Sequence, residues 1–346
     1  MRNPFEVFNR LFDLTDINGK KPLVRILEGN RTGMKTTTVN TILLRQFKRH
    51  GKTTIVVVPC VNDMDDVAEP FFSDVKDIYK DFKNDEMTQK MAKKGLYGEL
   101  FLNDDRFGYV ININKASKIK RRSNIINKTN YMLIDEFQSE DFVYPPRCAE
   151  KFTSLIISAA RGHDENGNRL TVRPDFEVIM VSNNVDPQNP FYKALHIRPE
   201  VLINGPEVLK GDKWVLLKDY DEEAAKEMRE EIPFKTDYLD SAADGKYMVD
   251  RQKYFVHMNT DASMYLCTLI FKNKLFGLYM CDGFFYFRKN GDKDYSSFVV
   301  DIESMKPGRN FIPTNTKQEI IKYFYRGQVC CDSAEAQECM EFVVGI

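Results

Sequence analysis

The sequence has no apolar run approaching the roughly 20 residues that a membrane-crossing helix needs. Its opening residues, Met1-Arg2-Asn3-Pro4-Phe5-Glu6, lack the apolar centre of a secretory signal, so the mature chain is expected to start there. Cysteine is sparse: seven residues in 346, an odd number, with Cys330-Cys331 adjacent and Cys148 alone. That scatter excludes a disulfide framework and a zinc module, and it fits a reduced compartment. Neither sign of charge is in excess, with 50 Lys and Arg against 51 Asp and Glu, a net charge of −1. A chain that lives by non-specific phosphate contacts is usually more basic, so any nucleic-acid surface must be local or assembled from several copies. Internal repeats and low-complexity tracts are also missing, which excludes solenoids and tails.

What is present begins with a strand–helix–strand pattern. Pro22 to Leu27 reads as a strand running into a glycine-bearing loop. Thr36 to Arg49 places Val39, Ile42, Leu43 and Phe47 at helical spacing, with Gly51 as a stop. Thr54 to Val58 is a continuous apolar run bounded by Pro59, as expected of a buried parallel strand. Two more buried strands follow, Tyr131 to Ile134 and Phe176 to Val181, with a helix from Ala149 to Ala160 between them. Residues 1–200 are therefore expected to form an α/β domain with a mostly parallel sheet. Residues 61–108, acidic and aromatic-rich, read as an insertion or lid. Residues 201–240, with the charged helix Asp221 to Glu231, read as a linker.

Residues 241–346 change texture. Tyr265 to Phe271, Leu275 to Cys281 and Phe284 to Phe287 read as short strands, the last two joined by a two-residue turn at Asp282-Gly283. Thr316 with Glu319, and Asp332 with Glu335, have the spacing of capping boxes that open helices. The expectation is a smaller α+β domain, antiparallel strands first and helices after.

The main chemical signal is Gly29-Asn30-Arg31-Thr32-Gly33-Met34-Lys35-Thr36. A phosphate-binding loop of the form G-x-x-x-x-G-K-[ST] needs consecutive backbone N–H groups at a helix N-terminus, a lysine for the β/γ oxygens and a hydroxyl for magnesium. Gly29, Lys35 and Thr36 fit. Met34 stands where the second glycine belongs, with Gly33 one place early. Alone, the octet is also what a strand–turn–helix connection with an incidental lysine looks like. About a hundred residues on, however, Tyr131-Met132-Leu133-Ile134 ends in Asp135-Glu136, the second nucleotide motif of such ATPases. Asp135 then belongs to the Mg²⁺ shell and Glu136 takes a proton from the attacking water. The adjacent glutamate puts the catalytic base in the sheet, as in ring and motor ATPases of the ASCE type.

Three further features are weaker. Asn183, after Val181-Ser182, is either a γ-phosphate sensor or an ordinary asparagine turn. Arg161, at a helix C-terminus, either complements the dipole or serves as an arginine finger on a neighbour's γ-phosphate. Lys115, Lys118, Lys120, Arg121 and Arg122 form a basic stretch without an acid, either a solvated face or a phosphate-facing loop.

Taken together, the arginine-bearing loop Gly29–Thr36, Ile134-Asp135-Glu136-Phe137, Val181-Ser182-Asn183, Asn189-Pro190-Phe191-Tyr192 and a hairpin-rich C-terminal domain make the chain resemble the DNA-encapsidation ATPases of phi29-like phages. The resemblance spans nearly the whole length. It implies an ATP- and Mg²⁺-dependent ring motor, generally pentameric, that drives double-stranded DNA into a preformed procapsid at its portal in the host cytoplasm, with or without a structural RNA. It assigns Lys35 and Thr36 to phosphate and magnesium, Arg31 to the loop arginine shared with terminases, Asp135 to the metal and Glu136 to catalysis. Arg161 matches the trans-acting finger and Arg122 a second trans-acting position, while Met34 departs from the family's glycine. The C-terminal domain is expected to resemble an RNase H-like nuclease fold that has lost its activity. Such nucleases need clustered carboxylates on the first strand, and Tyr265 to Phe271 has none; Asp282, Asp301 and Glu303 lie elsewhere.

Other readings are a helicase, a small-molecule kinase, or a capsid-associated component with a relic nucleotide site. No helicase-type motif stands out downstream, a kinase does not need the Asp135-Glu136 pair, and a relic would have lost Lys35 or Glu136. Residues 110–124 are the expected DNA-facing region.

Overall fold

The structure, a computed structural model, describes the chain except residues 1–2, 31–33, 59–63, 65, 93–94, 121–125, 140–143, 146, 235–238, 240–241, 244, 246, 248–257, 259, 261–262, 327 and 346. It divides into two compact units, Met1–Val249 and Asp250–Ile346.

The first unit is organised by strands β1 (Val24–Gly29), β2 (Thr54–Val58), β3 (Met87–Met91), β4 (Gly98–Leu102), β5 (Asp105–Asn112) and β6 (Tyr131–Asp135). A small ribbon, β7 (Gly162–His163) with β8 (Arg169–Leu170), precedes β9 (Glu177–Asn183), β10 (Val208–Gly211) and β11 (Trp214–Asp219). All but the ribbon join one nine-stranded sheet in the order β10-β11-β1-β9-β6-β2-β5-β4-β3. The six strands from β11 to β5 are parallel, and the edges β10, β4 and β3 are antiparallel. The sheet is mostly parallel, and β9 lies between β1, which runs into the glycine-bearing loop, and β6, which ends at Asp135.

The apolar runs are continuous because the central strands are covered on both faces. Ile26, Val57, Ile134 and Met180 pack into one layer, Leu27, Val56, Leu133 and Val181 into the other. The N-terminal helix Pro4–Asp13 buries Val7, Phe8 and Leu11 in the second layer. Buried Arg25 holds its end, donating to the Leu11 and Leu14 carbonyls and pairing with Glu177 at 3.0 Å.

Two sequence expectations are corrected. Residues 61–108 are not an insertion or lid: they supply the helix Ala68–Ile78, the antiparallel edge β3–β4 and the start of β5. The strand Met87–Met91 is half-exposed and carries three consecutive polar residues, Thr88, Gln89 and Lys90, so no apolar run announces it. Residues 201–240 are not simply a linker either, since β11 pairs in parallel with β1 along its whole length. Its Val215, Leu216 and Leu217 are fully buried. Only Glu222–Glu231 is the exposed helix expected there, capped by Asp221 through the Ala224 N–H. In the proposed DNA-facing stretch, residues 110–113 are buried; 121–124 fall outside the described residues.

The second unit contains β12 (Met264–Phe271), β13 (Lys274–Cys281), β14 (Phe284–Lys289), β15 (Ser297–Val299), β16 (Asn310–Phe311) and β17 (Val329–Cys331), in the order β16-β15-β12-β13-β14-β17. Asp282 and Gly283 both take positive φ, 47° and 83°, as a two-residue hairpin turn requires. The helices Thr314–Tyr325 and Ala334–Val344 follow. Both cap expectations shift: the first helix starts after Pro313, two residues before Thr316, and the second is capped by Ser333, not Asp332. Asp332 instead accepts the Lys289 N–H and the Ser333 hydroxyl.

Candidate nucleotide site

The site is assembled where β1, β9 and β6 end side by side. Gly29 closes β1 against β11, and a Cβ there would lie 1.9 Å from the Asp219 carbonyl oxygen. Glycine is thus demanded by strand packing as well as by any phosphate. The Asn30 side chain is buried and turned away from the loop, donating to the Asp221 and Ala243 carbonyls at 2.9 and 3.1 Å and accepting the Asp221 N–H. Arg31, Thr32 and Gly33 lie outside the described residues.

Met34 takes up the loop as the residue before the helix Lys35–His50, with φ 46° and ψ 27°. This is the left-handed conformation that a glycine adopts without cost. The chain therefore accepts a Cβ at a position whose backbone suits glycine. Lys35 opens the helix, and its buried ammonium donates to the Asn30 carbonyl and to Asn183 Oδ1 at 3.1 Å. The Thr36 hydroxyl donates to Asp135 Oδ1 at 3.2 Å. These two bonds join the helix Lys35–His50 to the ends of both β9 and β6. Lys35, Thr36, Asp135 and Asn183 are thus brought together, in the donor set that Mg²⁺ and a triphosphate require: an ammonium, a helix N-terminus, a hydroxyl and a carboxylate.

Burial raises the Asp135 carboxyl to about 6, with Glu136 adding to the rise and the Thr36 bond opposing it. A divalent cation at that carboxylate would reverse the preference. Glu136 is exposed, sits at φ 49°, and donates its N–H to Asp135 Oδ1 at 3.0 Å. Its side chain is thus exposed, one residue beyond Asp135. Phe137 behind it is fully buried, edge-on to Phe191 and Tyr192 at 5.7 and 5.6 Å.

Arg161 is not in this cluster. It follows the helix Cys148–Ala160, which returns from the end of β6 to the start of β9, and Arg173 N–H caps Ala160 there. The seven-residue β9 spans about 20 Å, so Arg161 lies at the opposite end of the sheet from Asn183 of its own chain. It is exposed, and with Lys120, His163 and Arg169 it lines a basic cleft of about 270 Å³. Arg122 lies outside the described residues.

One group escaped the sequence analysis. Glu28, the last residue before Gly29, is fully buried and accepts hydrogen bonds from the Tyr192 and Tyr247 hydroxyls, the latter at 2.8 Å. Across the sheet it is paired in register with Lys218 and Ser182. Burial pushes its carboxyl upward, against the pull of the tyrosines and Lys218. The signal is present in the sequence, a carboxylate after the apolar pair Ile26-Leu27 and directly before the loop.

Among solved structures, the chain matches one in the bacteriophage Phi-29 viral genome packaging motor assembly with TM-score 0.65 and 14% identity, covering 99% of each chain. The chain shares that fold. A chain of the Phi-28 DNA packaging motor matches with TM-score 0.59 and 14% identity, over 98% of this chain and 97% of that one. No protein-family model matches the sequence, and no curated protein matches it.

Proposed function

We propose that this chain is the ATP-hydrolysing subunit of a motor that drives double-stranded DNA into a phage procapsid. The observation that carries the proposal is the convergence of Lys35, Thr36, Asp135 and Asn183 through two hydrogen bonds at the ends of β1, β9 and β6. It occurs on a fold shared over the whole chain with packaging-motor chains. ATP and Mg²⁺ are the implied substrate and cofactor; the cation, held by Thr36 and Asp135, supplies charge neutralisation at the phosphates. Lys35 leaves the Asn30 carbonyl for the phosphate oxygens, Asn183 turns to the γ-phosphate or attacking water, and Glu136 orients that water and takes its proton. Arg31 and the backbone from Gly29 to Met34 complete the cradle.

Since Arg161 stands at the far end of its own sheet, it acts on a neighbour's nucleotide. Hydrolysis is therefore shared between subunits of a closed ring, a pentamer by resemblance, docked on the portal in the host cytoplasm with a structural RNA as a further partner. Arg122 is a second candidate for the trans-acting charge, and Lys120, beside Arg161, is a third. DNA is held by phosphate contacts, which makes the grip salt-dependent.

The experiment is displacement of a third strand from a linear duplex. ATP-dependent release, lost in Lys35→Ala and unaccompanied by separation of the duplex strands, is the expected result. Strand separation would make the chain a helicase, and no movement on duplex DNA in the presence of procapsids would remove the motor reading.

A further inference from the structure

The catalytic role given to Glu136 above leaves unexplained what fixes a carboxylate that is exposed and carried on a strained turn. Gln138, two residues later, is buried at 2% exposure and uses its amide on both sides. Its Oε1 accepts the Val185 and Asp186 N–H groups at 3.0 and 2.8 Å, in the loop that leaves Asn183. Its Nε2 donates to the Tyr192 hydroxyl at 3.1 Å and to Glu28 Oε2 at 3.5 Å, under the phosphate loop. Its N–H points to Ser182 Oγ at 3.4 Å. One side chain thus ties together the exits of β6 and β9 and the base of the phosphate loop. Glu28 anchors the inner end, itself held by Tyr192 and Tyr247. Two buried polar side chains in an aromatic core are costly unless every partner is in place, so this arrangement admits one geometry.

We infer that Gln138 is a positioning residue for hydrolysis. Anchored by Glu28, it locks the Glu136-Phe137 turn to the Asn183 loop and so sets where Glu136 stands relative to the γ-phosphate. This inference rests on the reading of Glu136 as the base. Gln138 does not touch nucleotide, so its loss moves the base and leaves the binding residues in place. Gln138→Met keeps the side chain's length and removes every side-chain hydrogen bond. Gln138→Glu keeps an acceptor for the Val185 and Asp186 N–H groups.

The test measures steady-state ATP hydrolysis and the affinity for a fluorescent ATP analogue on the full chain, with Glu136→Gln alongside. A misplacement of the base by a fraction of an ångström to 1 Å predicts that Gln138→Met loses roughly tenfold to a hundredfold in kcat. Nucleotide affinity and KM stay within about threefold of the unaltered chain, and Gln138→Glu recovers part of the loss. A merely structural role would lower stability without this split. Turnover by Gln138→Met within about threefold of the unaltered chain, while Glu136→Gln is inactive, overturns the inference and leaves the function standing. Should Gln138→Met not fold, Glu28→Gln decides by the same readout: an unchanged kcat overturns it. Turnover by Glu136→Gln equal to the unaltered chain removes the base assignment, and the inference with it.

Discussion

At the scale of single residues, the site is built from side chains whose partners differ from what a motif alone suggests. Asn30 sits inside the phosphate-loop octet, yet its amide serves the Asp221–Ala243 segment. Met34 holds a glycine's conformation. Replacing Met34 with Gly removes a left-handed Cβ penalty and should raise stability by about 1 kcal/mol in denaturant unfolding, with nucleotide binding kept. A loss of stability would show that the Met34 side chain packs usefully. Arg161→Ala should leave nucleotide affinity intact and lower turnover about a thousandfold, the cost of losing a finger. A kcat within a factor of a few would return Arg161 to its ordinary role at a helix end.

At the scale of elements, legibility followed burial. The strand–helix–strand unit at 24–58 and the strand Tyr131–Asp135 are readable because both faces are covered and apolar residues dominate the runs, Ile55 to Val58 and Tyr131 to Ile134 without a break. The strands β3, β10 and β11 are not, for two reasons. Met87-Thr88-Gln89-Lys90-Met91 is a polar edge, and Trp214 to Leu217 is a four-residue apolar run inside charged sequence. Helix caps differ from the expected ones by three residues and by one, because Pro313 and Ser333, rather than the boxed Thr316 and Asp332, begin the turns. In the candidate site, spacing alone picks out Lys35, Thr36, Asp135 and Asn183, which two hydrogen bonds bring together. The Glu28–Gln138–Tyr192–Tyr247 group is not legible in this way, since it joins residues up to 219 positions apart. The clamp on the first helix is another such element. Arg25→Ala leaves buried Glu177, among the described residues, with the half-exposed Lys21 as its ion-pair partner. It should cost about 3 kcal/mol in urea unfolding, with early loss of amide protection in Pro4–Asp13. A cost under about 1 kcal/mol would mean that Lys21 takes over.

At the scale of the whole molecule, a chain with net charge −1 is proposed to move along a polyanion. The two are reconciled if charge is local and repeated around a ring, as the basic cleft at Lys120, Arg161, His163 and Arg169 illustrates. In the second unit, the buried Asp301 accepts the Lys272 and Ser304 N–H groups, a structural use of a carboxylate, and β12 carries none. The proposed hydrolysis belongs to the first unit, where Lys35, Thr36, Asp135 and Asn183 meet, and the proposal stands or falls on whether that hydrolysis answers to DNA. The most direct measurement is ATP turnover by the purified chain, with and without long double-stranded DNA, against Glu136→Gln as the blank. The account predicts turnover that requires Glu136 and rises with DNA. Turnover no greater than the blank, with DNA and procapsids both supplied, would contradict it.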